Sequence, residues 1–184
     1  RVPLICFFII SFAHWVYPAI WSYWGKEVFG WGSGMIGISL ACYGIGISLV
    51  QGFLIRLRFI SELGARFVVT ASLTIGACSL LSMGLIWEGW MVFCIIPFSA
   101  LSELLTPTLG SFLSNSVPDN EQGELQGVLS SLSAITSVVS PLLMTGIFNI
   151  YTSHDNSFYF PGVPFIFAAI LLLLTIFPLS IAMK

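Results

Sequence analysis

Six apolar stretches, each about as long as a membrane-spanning helix, occupy most of this chain. Short polar segments separate them, and they cover roughly residues 2–24, 35–55, 66–87, 90–115, 123–149 and 164–183. A helix needs about 20 apolar residues to cross the hydrocarbon core of a bilayer. The sequence therefore predicts an all-α membrane protein with six transmembrane helices, numbered here as the first to the sixth span.

The composition agrees with a membrane protein. Of the 184 residues, 57% are hydrophobic and only 8% are charged, whereas a soluble domain carries about 25% charged residues. The net charge of −2 and the absence of a basic run argue against a nucleic-acid partner. The apolar stretch after Arg1 leads to no small-residue cleavage site, so we interpret it as a helix and not as a signal peptide.

The basic residues predict the orientation in the membrane. With six spans, Lys26 falls alone on one side, and the other side carries Arg1, Arg56, Arg58, Arg66 and Lys184. Basic residues accumulate in cytoplasmic loops, so both ends of this segment are expected in the cytoplasm. The opposite, outer ends of the spans then carry the aromatics expected at an interface, which are Trp24, Trp31, Trp87, Trp90 and Tyr151.

Glu103 lies midway along the fourth, otherwise uncharged stretch. A carboxylate at membrane depth costs about 2.5 kcal/mol or more, and such residues usually face a bundle interior or a water-filled cavity, often in a proton relay. Ser99 and Thr106 share its helix face, so an alternative is a neutral Glu held by these hydroxyls. Pro97 and Pro107 bracket it and predict a kink, and broken helices near the midplane are typical of transporter binding sites.

The first and second spans hold further candidates. His14, Pro18 and Trp21 share one face of the first span, where His14 could bind a ligand, pass protons or hydrogen-bond a neighbouring helix. Tyr43 and Gln51 lie in the second span among glycines that favour close helix packing.

The fifth span carries a polar stripe, formed by Gln126, Ser130, Ser133, Ser137 and Ser140. Small polar residues at this spacing serve either a cavity or close helix packing, and both interpretations stay open. Just before the span, Asp119 and Gln122 have the spacing of a capping box.

A charged cluster is expected on the cytoplasmic side. Arg58 and Arg66 lie in the loop after the second span, on the same side as Glu121 and Glu124. A contact between these two groups would hold a cytoplasmic gate closed.

No enzyme signature emerges from the sequence. GISL occurs at 37–40 and again at 46–49, but neither copy completes a GxSG motif, and no HExxH or P-loop is present. The four cysteines show no CxxC or Cys–His spacing, so they are expected to be small buried apolar residues, and neither a metal nor a cofactor is expected.

Several stretches resemble the C-terminal half of a major facilitator superfamily transporter, of the tetracycline-efflux type of drug–proton antiporter. They are AHWVYPAIW (13–21), FGWGSGMIGISLA (29–41), SLVQGFLIR (48–56), ELGAR (62–66), NEQGELQGVLSSLSAITSVVSPLL (120–143) and YFPGVPF (159–165). Pro18, Trp21 and Gln51 match family positions, and Gly64 and Arg66 fit the family's arginine loop.

The resemblance implies that residues 1–184 are helices seven to twelve of a twelve-helix protein. It implies two three-helix repeats of inverted topology, about 1–88 and 89–184, and an N-terminal six-helix half as partner. The first, second, fourth and fifth spans would line the substrate path between the halves, and the third and sixth would face lipid. The resemblance also implies a bacterial inner membrane.

Two departures from the tetracycline pumps argue against tetracycline as the substrate. The pumps carry an acid in the helix that matches the third span, and residues 66–87 contain none. Around Glu103 the family usually has small residues, so this carboxylate is an addition.

These observations together predict a proton-coupled exporter of a lipophilic, drug-like or cationic compound. Glu103 and His14 would couple protons, the gate would use Arg58, Arg66, Glu121 and Glu124, and the substrate cavity would be lined by His14, Trp21, Tyr43, Gln51, Glu103, Thr106, Ser133 and Ser137. An importer of a small metabolite and a non-transporting membrane scaffold remain alternatives.

Overall fold

A computed structural model describes residues 2–56, 62–153 and 158–183, and within these ranges every regular element is helical. The α-helices are α1 (Val2–His14), α2 (Val16–Phe29), α3 (Ser33–Gly52), α4 (Ala65–Leu85), α5 (Gly89–Ser102), α6 (Leu105–Ser114), α7 (Gln122–Thr152) and α8 (Val163–Ala182). Short 3₁₀ turns at Leu54–Arg56 and Asp119–Glu121 extend α3 and precede α7.

Six helical segments of the described chain are long and apolar enough to cross a membrane, which confirms the predicted number of spans. The first span joins α1 to α2, the fourth joins α5 to α6, and the others are α3, α4, α7 and α8 with their 3₁₀ turns. The structure extends the first span to Phe29 and the fifth to Thr152, beyond the apolar stretches, because their polar last turns continue the helix.

Proline breaks two of the spans. The first is interrupted at Trp15, between α1 and α2, and the fourth at residues 103–104, between α5 and α6. Proline has no backbone N–H, and its ring clashes with the carbonyl four residues earlier in a helix. Pro18 would therefore clash with the carbonyl of His14, and Pro107 with the carbonyl of Glu103. The predicted kink in the fourth span is confirmed, and Pro18 was the available signal for the unpredicted break in the first.

The spans pack in two matching sets of contacts. The third span lies against both the fourth and the sixth. The first span packs on the sixth, and the fourth span packs on the third in the equivalent way. The second span packs on the fourth, and the fifth span packs on the first in the equivalent way. Each set of three consecutive spans therefore makes equivalent contacts with the other set.

Glycine allows the closest crossings between spans. A Cβ atom on Gly46 would lie 2.8 Å from the Cβ of Ala100, so the second and fourth spans touch almost backbone to backbone. A Cβ on Gly162 would overlap the carbonyl of Gly84, where the sixth span begins beside the end of the third. The first contact holds the second span against the fourth, and the second contact holds the sixth span against the third.

Two interface aromatics and two cysteines differ from expectation. Trp24 and Trp31 lie near the ends of the first two spans but are buried in the core, where the ring of Trp31 covers Gly25 and Gly89, and so they are not exposed as interfacial aromatics usually are. Trp87 and Trp90 are exposed at the ends of the spans. All four cysteines are free thiols, but Cys78 and Cys94 are exposed on the outside of the bundle instead of buried.

The second and fifth spans are the least covered. In the most apolar 18 residues of each span, only 11% and 22% of the residues are buried in the second and fifth spans, compared with 56% in the third span. Their open faces carry large apolar side chains, among them Ile45, Leu49, Val138 and Leu142. A broad apolar surface on these two helices thus lies free of contacts with the rest of the described chain.

Candidate functional site

Glu103 occupies the break in the fourth span and is nearly enclosed, with 8% of its surface exposed. Its Oε1 accepts a hydrogen bond of 2.7 Å from the hydroxyl of Tyr43 on the second span. The same oxygen lies 3.4 Å from Nε2 of His14 on the first span. Three spans therefore meet at one carboxylate oxygen.

The break in the fourth span also frees a backbone acceptor at this residue. Pro107 cannot donate to the carbonyl of Glu103, and the side chain of Gln51 donates to it instead, with Nε2 and the oxygen 3.4 Å apart. The chain tightens into i→i−3 bonds here, since Glu103 N–H donates to Ala100 and Leu104 N–H to Leu101. Gln51 thus compensates for a hydrogen bond that proline removes.

His14 is the boundary between this carboxylate and an open cavity. The cavity has a volume of about 360 Å³ and is walled mainly by apolar side chains of α1, α2 and α6, with His14, Ser11, Thr106 and Ser133 as its polar lining. Glu103, Tyr43 and Gln51 are not among the residues that line it. Of the predicted cavity residues, the structure thus places His14, Thr106 and Ser133 at the cavity, and it places Glu103, Tyr43 and Gln51 outside the cavity lining.

Tyr17 and Ser99 belong to the same cluster, and of the two only Tyr17 was missed in the sequence. The Tyr17 hydroxyl donates to the Ser99 hydroxyl at 3.2 Å, one turn before Glu103. The Tyr17 ring also packs against the Tyr43 ring, with centroids 5.4 Å apart. The signal available in the sequence was the placement of Ser99 on the face of Glu103; the position of Tyr17 depends on how the first span is rotated.

Trp21 lies in the packed core and not at the cavity, which corrects its assignment. Its residue is only 4% exposed, and its indole Nε1–H donates to the Ser39 hydroxyl at 2.9 Å. This bond joins the first span to the second. Trp21 therefore holds the first span, which carries His14, against the second span, which carries Tyr43.

The serine stripe of the fifth span divides between the two open interpretations. Ser140 is buried and donates to the Phe12 carbonyl at 2.6 Å, which is a packing role against the first span. Ser133 lines the cavity. Ser137 is partly exposed, donates to the carbonyl of Ala134 in its own helix, and does not line the cavity.

The predicted gate is not assembled in the described part of the chain. Arg58 lies outside the described residues. Arg66, Glu121 and Glu124 are all exposed, and no ion pair joins Arg66 to either glutamate.

The expected capping box is replaced by a different contact. No side chain caps α7. Gln122 instead closes the end of α6, because its Oε1 accepts from the Ser114 hydroxyl at 2.7 Å while its Nε2 donates to the carbonyls of Ser114 and Val117. The link between the fourth and fifth spans is thereby held to the end of the fourth.

Comparison with known proteins covers nearly the whole chain. The profile of the Major Facilitator Superfamily matches residues 4–181. Among the similar proteins are the class E and class C tetracycline resistance proteins of Escherichia coli, both 33% identical over 79% and 82% of this chain. The class G protein of Vibrio anguillarum is 33% identical over 78% of the chain. The chain spans only 36% to 38% of the length of these relatives.

Proposed function

The chain belongs to the major facilitator superfamily, and on that premise we propose that it is the C-terminal half of a proton-coupled exporter of lipophilic cations. Its relatives include proteins named for tetracycline resistance, and this chain accounts for little more than a third of their length. A second six-helix half would supply the rest of the fold. The two halves would rock about a midplane site in alternating access.

The buried carboxylate at the break in the fourth span carries this proposal. A glutamate at membrane depth is costly and is usually kept for ion or proton movement. Glu103 is 8% exposed, contacts His14 and Tyr43, and lies where proline interrupts the helix. These properties favour a carboxylate that takes part in proton coupling together with His14.

The chemistry of the cavity supports a lipophilic cation as substrate. Its walls are mainly apolar and include Phe7, Trp15 and Leu109, as expected of a ligand pocket. Aromatic faces attract cations, and the nearest ionisable groups are His14 and, behind it, Glu103. The third span, Ala65–Leu85, contributes no acid, which favours a substrate other than tetracycline.

The uncovered faces of the second and fifth spans support a docking position for the N-terminal half. Both faces are apolar and out of contact with the other four spans. The matching contacts of spans one to three and four to six support two inverted repeats, about 1–88 and 89–184. We place both ends of the chain in the cytoplasm of a bacterial cell, with Lys26 outside, on the distribution of basic residues.

Proton movement in proteoliposomes of the full-length protein tests the proposal. A panel of lipophilic cations and tetracyclines would be added to wild-type protein, to Glu103→Gln and to Glu88→Gln. Glu88 is the matched control, because it is an exposed glutamate that pairs with the indole of Trp90 far from the site. We expect substrate-dependent proton flux that Glu103→Gln abolishes and Glu88→Gln preserves.

Other outcomes assign other functions. Flux that survives in Glu103→Gln would leave a transporter in which this carboxylate has a packing role. Proton-driven uptake instead of release would identify an importer of a small metabolite. Folded wild-type protein that moves no protons with any compound would contradict the proposal and favour a membrane scaffold.

A further inference from the structure

We infer that His14, and not Glu103, is the residue at which a proton and a cationic substrate exchange. In this arrangement the site holds one positive charge at a time, either the proton on His14 or the cation in the cavity. The inference rests on the proposed function and specifies how its site works. Glu103 then acts as a fixed counter-charge that the substrate does not touch.

The position of His14 between the cavity and the carboxylate is the first argument. Its Nε2 lies 3.4 Å from Oε1 of Glu103, while its ring lines the cavity. The Glu103 side chain does not line the cavity, and its Oε1 is also engaged by the Tyr43 hydroxyl. A molecule in the cavity therefore meets the imidazole before it can reach the carboxylate.

The surroundings of the pair contain few other ionisable groups, which is the second argument. Tyr43 from the second span and Tyr17 from the first are the titratable side chains that face it. The fifth span presents the neutral Ser133 at the cavity, and the sixth span, Val163–Ala182, has no ionisable residue at all. Within the described residues, no second base or acid is available there to compensate a change in charge.

The nearly enclosed carboxylate of Glu103 then links the two cations electrostatically. When His14 carries a proton, its charge and that of the Glu103 carboxylate cancel, and a cation in the cavity would face a like charge. When His14 is neutral, the carboxylate leaves a net charge of one negative unit beside the cavity. Because uncompensated charge is costly in a low-dielectric interior, binding of one monovalent cation expels one proton from His14 to water.

A correspondence between the two sets of spans is the third argument. His14 and Glu103 are 89 positions apart, as are Pro18 and Pro107, and Gln51 and Ser140. Both members of the first pair lie four residues before a helix-breaking proline. Gln51 donates to the Glu103 carbonyl, and Ser140 donates to that of Phe12, two residues before His14. The contact of His14 with Glu103 thus joins the breaks in the first and fourth spans, which occupy equivalent positions. Loss of this contact would therefore affect both breaks at the same time.

Binding of tetraphenylphosphonium to the full-length protein tests this inference. Its charge does not change with pH, so any pH dependence belongs to the protein. An exchange of one proton for one cation should weaken binding by up to about tenfold for each unit of acidification.

Two substitutions of His14 bracket its charge states. His14→Gln keeps a hydrogen-bond donor for Glu103 but carries no charge, so its affinity should stay near the wild-type value at high pH and should not vary with pH. His14→Lys carries a lasting charge and should bind weakly throughout. His154→Gln removes the only other histidine of the chain and should keep the wild-type dependence.

The outcomes separate this inference from the proposed function. If His14→Gln binds the cation with the wild-type pH dependence, the exchange takes place elsewhere and the inference is wrong, although cation export stands. If His14→Lys binds as tightly as wild type, the like-charge argument is wrong. If the wild-type protein neither binds tetraphenylphosphonium nor moves protons with any compound of the panel, the inference and the proposed function fail together.

Discussion

Glu103 is held in the apolar interior by partners from three directions. Tyr43 donates to its carboxylate, His14 lies beside the same oxygen, and Gln51 donates to its backbone carbonyl. The Tyr43 bond and the His14 contact offset part of the desolvation cost of the carboxylate, while Gln51 satisfies the carbonyl that Pro107 cannot bond. The side chain chemistry of a single residue thus accounts for why three spans converge at this depth.

Removal of the Tyr43 hydroxyl should weaken proton coupling. Tyr43→Phe keeps the ring packed against Tyr17 but leaves Oε1 of Glu103 without its closest donor. Hydrogen bonds to charged groups contribute about 1.5–3 kcal/mol, so we expect the initial substrate-driven proton flux to fall by roughly tenfold or more. Tyr23→Phe, at an exposed tyrosine of α2, is the control and should behave as wild type. Unchanged flux in Tyr43→Phe would show that this bond has no part in coupling.

At the scale of helices, two proline breaks define the site more than the helices themselves do. His14 ends α1 and Glu103 follows α5, each next to backbone that has lost a helical hydrogen bond. An unbroken helix would bond the Glu103 carbonyl internally and leave Gln51 without this acceptor. The apolar pattern predicted where the spans lie, while the prolines decided where they bend.

Restoring helical geometry at Pro107 should separate stability from activity. Pro107→Ala supplies an N–H for the Glu103 carbonyl and removes a residue that costs a helix interior about 3 kcal/mol. We expect a melting temperature equal to or above that of wild type, together with a clear loss of substrate-driven proton flux. Pro178→Ala, inside the sixth span and away from the site, should change stability without reducing flux. Full activity in Pro107→Ala would mean that the break is dispensable.

At the scale of the whole molecule, the crossing of the third and sixth spans sets the shape of the bundle. Gly84 and Gly162 meet there with no space for a side chain. The third span is also the most buried of the six. Its contacts with the fourth and sixth spans therefore determine how the two sets of three helices are placed.

Adding one carbon atom at this crossing should destabilise the protein. In Gly162→Ala the new Cβ would overlap the Gly84 carbonyl, and backbone cannot move aside as a flexible side chain can. Overpacking of this kind costs about 1–3 kcal/mol, so we expect a lower melting temperature and lower yield. Gly146→Ala, in α7 with open space around its Cα, should be neutral or stabilising. Equal stability of the two variants would contradict the close contact between Gly84 and Gly162 at this crossing.

The proposed cytoplasmic gate is testable at the same scale. Arg66 and Glu124 are exposed and form no ion pair with each other, so under the proposed function a contact between them would belong to another state of the transport cycle. Arg66→Glu and Glu124→Arg should each reduce transport, and the double substitution should recover it, since the opposite charges are exchanged. Transport that stays low in the double variant would eliminate this pair as the gate.

The sequence by itself determined the six spans, the kink in the fourth span and the isolated carboxylate within it. These follow from the length of the apolar stretches and from proline chemistry, which act on neighbours along the chain. It also placed Ser99, Glu103 and Thr106 on one face of the fourth span, because helix periodicity fixes which residues of one helix share a side.

Only the tertiary structure decided which side chains from different spans meet. Helix periodicity leaves the rotation and depth of one span relative to another undefined, and close packing at glycines such as Gly46 sets them. That is why Trp21, predicted for the cavity, lies in the core, while the unnoticed Tyr17 joins the cluster. The same rotation puts His14 between the cavity and Glu103, a relation that depends on three spans at once and is written in no single one of them.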